Sequence, residues 1–123
     1  MNVTAIIAGL LMLMGVNQYR AEHQLAPLSW SVDTCIIAMI RVEDIQTEWS
    51  HRLFSQRTNL VNIGGWFYED LGRYYGENQW QGMLEEWKKS PSHNEILLSP
   101  ATEGCVAYSN GHWALTFHQS QYE

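Results

Sequence analysis

The residues best placed to do chemistry surround one break in the chain. Glu85-Glu86-Trp87-Lys88-Lys89 closes an amphipathic helix, and Ser90-Pro91 stops it. Proline disfavours helical backbone at the residue before it and has no N–H to donate. His93 follows at once, ahead of Ile96, Leu97 and Leu98, so an imidazole sits at a sharp junction between two ordered pieces. A second histidine, His51, follows Ser50, while spacing alone gives His23, His112 and His118 no partner. Ser50, Ser90 and Ser92 lie near His51 and His93, but the chain has no G-x-S-x-G elbow to expose a nucleophile. Cys35 and Cys105 form no C-x-x-C pair, which argues against a zinc knuckle or a thioredoxin-type site. They leave two readings, one disulfide or two buried thiols, and we favour the thiols. Glu69 and Glu77 would be the carboxylates for glycoside hydrolysis, a reading that takes Glu77 from the surface.

Several elements must position these groups. Val32 to Thr47 reads as a helix, with Asp33 favouring the dipole in its first turn and Cys35, Ile36, Met39, Ile40 and Ile45 as its buried stripe. Leu53, Phe54 and Arg57 form a short helical turn, and Gly64-Gly65 breaks the loop that begins at Asn62. Trp66-Phe67-Tyr68 opens a strand with Glu69 at or near its end. The helix before His93 carries Trp80, Met83, Leu84 and Trp87 at i, i+3, i+4 and i+7, a core-packing face. Asn78 is its expected N-cap, with Gln81 completing a box-like pair. Gly104 to Ser109 and His112 to Gln119 alternate around Asn110-Gly111, a strong hairpin signal because both turn residues tolerate positive φ.

The string W-x-x-S-P-x-H-x-x-I-L at Trp87–Leu97 resembles the signature of the CAP superfamily in its short bacterial form (cysteine-rich secretory, antigen-5 and pathogenesis-related proteins). Other marks follow in family order. Asn17-x-x-Arg20 with Leu25-Ala26-Pro27-Leu28-Ser29-Trp30 resembles the first helix and its exit, and Arg41 with Glu43-Asp44-Ile45 the second helix. Ser50-His51 resembles the first family histidine, Tyr68-Glu69-Asp70-Leu71-Gly72 the family's Glu-Asn-Ile-Ala segment, and Gly104 to Phe117 the closing hairpin. Together they cover Leu10 to Gln119.

The resemblance implies an α+β fold, an α-β-α sandwich with a central antiparallel sheet, and one cleft built from His51, Glu69 and His93. Gly76-Glu77-Asn78 spells the family motif more literally, but the family places its glutamate well over a dozen residues before the helix tryptophan. Glu69 stands 18 residues before Trp87 and Glu77 only 10. Eukaryotic members carry a second Glu where this chain has Ser90, so the family tetrad is reduced to a triad. His51 and His93 would bind a divalent metal, zinc, with room left for water, and a nearby carboxylate would orient an imidazole. The bland alternative is that the three residues only hold loops together. The family offers no single reaction; its members are linked to lipid or sterol binding, to toxin and defence roles, and to proteolysis. The leading expectation is therefore a non-enzymatic binding module acting outside the cell, with a small molecule or lipid as ligand. The alternatives are a structural component of a phage virion or other assembly, and a cell-envelope hydrolase.

At 123 residues the chain is one domain, residues 1–123, with 46% hydrophobic residues and six tryptophans to bury. A net charge of −6 and scattered basic residues repel a phosphate backbone, so nucleic acid is not an expected partner. Residues 1–19 carry no charge, and Ala5 to Val16 is unbroken apolar residues and glycine. The run lacks the basic residues and cleavage pattern of a signal peptide and is short for a membrane span. Continuing into Asn17-x-x-Arg20, it reads as a helix from Thr4, its N-cap, to Glu22. Residues 1–9 are expected as an apolar helical extension. Being apolar all round, the helix would meet another chain, a copy or a partner, through Ile6, Ile7, Leu10, Leu11 and Leu13. A virion, built inside a cell and acting outside it, would reconcile an extracellular fold with the missing export signal.

Overall fold

The computed structural model describes residues 2–77 and 79–121. The elements run α1 (Val3–Glu22), β1 (Ser29–Trp30), α2 (Val32–Thr47), α3 (Phe54–Thr58), β2 (Trp66–Arg73), α4 (Gln79–Lys89), α5 (Pro91–Leu97), β3 (Glu103–Ser109) and β4 (His112–Gln119). The sheet order is β1-β3-β4-β2. β2, β3 and β4 pair antiparallel, while the two residues of β1 run parallel to β3 at its outer edge, so the sheet is mixed. Asn110 and Gly111 turn the β3–β4 hairpin with φ of 50° and 74°, the left-handed values such a two-residue turn requires.

Alternation along the central strand β4 builds two cores. Trp113, Leu115 and Phe117 point to one face, where they meet Met12, Leu13 and Val16 of α1, Met83, Leu84 and Trp87 of α4, and Leu97 of α5. Ala114 points to the other, with Leu71, Cys105 and Ala107, against Cys35, Ala38, Val42 and Ile45 of α2. The result is a helix–sheet–helix sandwich of the α+β class.

Local details correct the sequence reading. α1 starts at Val3, and its N-cap is Asn2, not Thr4: Asn2 Oδ1 accepts the Ala5 N–H at 2.8 Å. Residues 3–9 are helical, as expected, and lie against the sheet. Ala5 and Gly9 are buried, and a Cβ at Gly9 would stand 2.2 Å from the Val106 carbonyl oxygen, so this turn lies directly on β3. By length and composition α1 is long and apolar enough to cross a membrane, yet its inner stripe forms part of the core. The buried face of α2 is Thr34, Ile37, Ala38, Arg41, Val42 and Ile45 with Cys35, while Ile36 and Met39 are exposed. Its rotation is set by two demands apolarity does not encode: Cys35 must reach β3, and Arg41 must point inward. β2 continues four residues past Glu69, because all eight of its residues pair with β4. The expected cap Asn78 lies outside the described residues.

The cysteines form a disulfide, Cys35–Cys105, joining α2 to β3; the reading as two thiols is corrected. The sheet face brings their Cα atoms to 5.0 Å, within bonding range. The family's helix-one motif also gains a physical account. The Asn17 side chain accepts from Leu28 N–H at 2.8 Å and donates to Leu28 O at 3.1 Å. Arg20, 2% exposed, donates to the carbonyls of Ala26, Leu97, Ser99 and Ala101. These contacts tie α1 to the segments before β1 and after α5.

Two consequences are measurable. Replacing both cysteines by serine should lower unfolding stability by roughly 2–4 kcal/mol, since the bridge closes a long loop in the unfolded chain. Denaturant unfolding checks this, and unchanged stability would count against the bond. Asp70, on β2, is 1% exposed with its Oδ2 unpartnered. Burial, then the Glu69 charge, push its pKa from 3.8 up to about 8. Between those values the folded chain keeps a proton the unfolded chain has lost, so stability falls as pH rises through the window. Asp70→Asn should therefore raise the melting temperature at pH 8 by more than at pH 4. An equal difference at both pH values would refute the account.

Candidate functional site

The site is built from α2 outward. Arg41, completely buried, donates from Nε to Glu69 Oε1 at 2.7 Å and from a terminal nitrogen to Oε2 at 3.1 Å. That second nitrogen also donates to the Ser50 carbonyl at 2.7 Å, and the other terminal nitrogen reaches Asp44 Oδ2 at 3.1 Å. Arg57 of α3 closes the far side with two bonds to Asp44, at 2.9 and 2.8 Å. Burial alone would pull the Arg41 pKa down, but Glu69 and Asp44 outweigh it and hold it up. The Arg57 hydrogen bond, against an opposing effect of burial and with help from Arg41, keeps Asp44 below the usual carboxylate range. Two guanidiniums thus face two carboxylates, and the buried charge is balanced.

By gripping both Glu69 and the backbone of Ser50, Arg41 delivers His51 to the carboxylate. His51 Nδ1 lies 2.7 Å from Glu69 Oε2. An ionised carboxylate only accepts, so Nδ1 carries the hydrogen and Nε2 is the ring's other, open nitrogen. The His51 side chain is 62% exposed, while that of Glu69 is 2% exposed. Ser50 Oγ and Arg52 both donate to Glu48, which clips the loop from outside.

His93 comes from the other layer. The Trp87 indole donates to Leu71 O at 2.9 Å, pinning the end of α4 to β2 two residues from Glu69. Ser90 is the N-cap of α5 and Pro91 its first residue, so this element starts at the proline and not at the histidine. Tyr19 of α1 donates to Asn94 Oδ1 at 2.7 Å, fixing the same turn. His93 is half-buried, with Nδ1 2.7 Å from Ser90 Oγ. Burial first, and then the charge of His51, lower its pKa. His51 stands in the segment between α2 and α3 and His93 in α5, while Glu69 lies on β2, an edge strand of the sheet.

Of the three residues expected in the cleft, Glu69 and His51 are in direct contact, and His93 bonds the Ser90 hydroxyl instead. Glu77 is exposed, with its carbonyl accepting from Tyr74 at 3.4 Å. The sequence reading matched Arg41, Asp44 and Arg57 to helices without seeing that they hold the site; an arginine in the middle of an apolar helix stripe was the available signal. Among the remaining histidines, buried His118 bonds Glu103 and the Gly64 carbonyl, His112 the Asn110 carbonyl, and His23 stacks on Tyr19. Of the expected partner contacts, Leu13 is buried in the core, while Ile6, Ile7, Leu10 and Leu11 are exposed.

Among the described residues no group of three His, Cys, Asp or Glu side chains could hold a metal ion. Glu69 is committed to Arg41 and His51.

No curated protein sequence matches the chain. Among solved structures, a cysteine-rich secretory protein from Staphylococcus aureus superposes with a TM-score of 0.82 at 16% identity, over 92% of this chain and 39% of that one. An extracellular protein containing an SCP domain, from Bacillus anthracis, gives 0.80 at 20% identity, over 92% and 40%. An outer surface protein of Borrelia burgdorferi gives 0.76 at 16% identity, over 90% and 91%. The chain thus spans about two fifths of the first two and nearly all of the third, and these likenesses establish the fold. The model of the Cysteine-rich secretory protein (CAP) family matches residues 13–120, a span that holds Asn17, Arg20, Arg41, His51, Glu69 and His93, and the chain belongs to that family.

Proposed function

We propose that this CAP domain is a non-enzymatic binding module acting outside the cell, with His51 and His93 taking a divalent cation such as zinc. The observation that carries the reading is the anchoring of both imidazoles through Nδ1, to Glu69 and Ser90. Each ring keeps Nε2 for a ligand, and imidazole nitrogen suits zinc. With two protein ligands the ion keeps open positions, filled by water or by the small molecule or lipid the module carries. Glu69, bound by a buried guanidinium, is poorly placed to move protons, which favours binding over catalysis. The envelope-hydrolase alternative gains the Ser90–His93 contact, but the carboxylate a triad would use to orient that imidazole is bound to the other histidine. An extracellular setting is supported by the disulfide, which persists in oxidising compartments. It is also supported by the neighbours named as an extracellular and an outer surface protein.

Zinc should raise the melting temperature by about 5 °C at roughly ten times its Kd, because it binds only the folded state. The rise should vanish when His51 and His93 are both replaced by alanine. Equal shifts in the variant and the parent, or none in either, would leave the two histidines a purely structural role.

A second reading, a component of a virion or other assembly, draws on the outer face of α1. Ile6, Ile7, Leu10 and Leu11 are between 37% and 49% exposed, and each side chain left in water forgoes part of the roughly 1.5–3 kcal/mol that burial would return. A copy or a partner protein covering this face would recover it. Leu10→Asp should then abolish association in sedimentation while leaving the domain folded, whereas Leu13→Asp should unfold it. A parent chain that sediments as a monomer alone and with its neighbours in the native particle would end this reading.

A further inference from the structure

Ser90 stands at a helix start and does not do what a serine there ordinarily does. An N-cap hydroxyl accepts from the N–H of the second or third helical residue, worth about 1 kcal/mol. Ser90 is the N-cap of α5, with extended backbone at φ −94° and ψ 115°, yet its side chain makes no cap hydrogen bond. Its Oγ lies instead 2.7 Å from Nδ1 of His93, the third helical residue. The helix start is held by other means. Pro91 has no N–H to satisfy, Asn94 N–H donates to Ser90 O at 2.8 Å, and Tyr19 fixes the Asn94 side chain. The hydroxyl is thereby free for the imidazole.

We propose that Ser90 is a positioning residue that sets the tautomer and ring orientation of His93, accepting a hydrogen bond from Nδ1–H so that Nε2 keeps its lone pair for a ligand. Resting on the binding reading above, this makes Ser90 the counterpart of Glu69, which fixes His51 through the same ring nitrogen. A neutral imidazole carries one N–H, and the hydrogen bond at one nitrogen decides which nitrogen is left to ligate. The two histidines are thus prepared alike by different partners, a buried carboxylate on the sheet and a hydroxyl at a helix cap.

The test reads the ring directly. Long-range proton–nitrogen NMR of histidine-labelled, metal-free protein should show His93 protonated at Nδ1 in the parent and shifted towards the Nε2–H form in Ser90→Ala. Ser90→Thr, which keeps the hydroxyl, should restore the parent pattern. Zinc affinity, followed by loss of the His93 signals on titration with zinc alone, should fall by about tenfold or more in Ser90→Ala and recover in Ser90→Thr. An Nε2–H ring in the parent, or the same tautomer in parent and Ser90→Ala, would overturn the assignment. If zinc disturbs neither ring in the parent, the metal reading fails by itself, and the metal-free tautomer still decides the role of Ser90.

Discussion

A guanidinium and a carboxylate can enter an apolar core only together, and the pair Arg41–Glu69 is the constraint on which this site depends. Breaking a buried pair by removing one partner leaves an uncompensated charge, typically at a cost of about 3–5 kcal/mol. Arg41 meets that condition with bonds to both oxygens of Glu69, to Asp44 and to the Ser50 carbonyl. The geometry fixes three things at once: the rotation of α2, the seating of β2 against it, and the path of the loop that carries His51. His51 is largely exposed but not free in orientation, because its partner is buried and held at both oxygens by Arg41.

Arg20 solves a different problem on the opposite face. It has four carbonyl oxygens around its guanidinium, and burial lowers its pKa. Carbonyls at the end of α5 and in the segment leading to β3 need donors once they are buried. One planar, five-donor side chain supplies several of them. It therefore acts as a clasp rather than as half of an ion pair. With Asn17 and Tyr19 it holds the short α5, and with it His93, to a long helix that is itself set in the core. Each histidine thus depends on an arginine of a different helix, His51 on Arg41 of α2 and His93, through α5, on Arg20 of α1.

Much of the fold could be read in the sequence because it rests on local chemistry. Asn110-Gly111 specifies its turn, Pro91 its helix break, and the spacing of Met83, Leu84 and Trp87 a buried face, each through the backbone and near neighbours alone. Glu69 could be preferred over Glu77 by its distance from Trp87. Other features were misread because their causes are distant in sequence. The free-thiol reading failed because nothing near Cys35 encodes its partner 70 residues away. The stripe on α2 was placed on Ile36 and Met39 because apolarity was taken as the guide, whereas a disulfide and a buried arginine set the rotation. Leu13 looked like Leu10 and Leu11 by composition, and only the crossing of α1 over β3 separates the buried residue from the exposed ones.

The same division applies to the site. The sequence by itself determined which side chains were available: two histidines, a glutamate 18 residues before Trp87, and a serine just ahead of Pro91. Only the tertiary structure decided their roles. It bound Glu69 to Arg41 and turned the nitrogen of His51 opposite Glu69 outward. It also drew Ser90 away from its helix cap to the ring of His93. These outcomes depend on where a hydrogen-bonding group finds its partner once water is excluded, and that choice is made by atoms brought together across the sheet, not by neighbours along the chain.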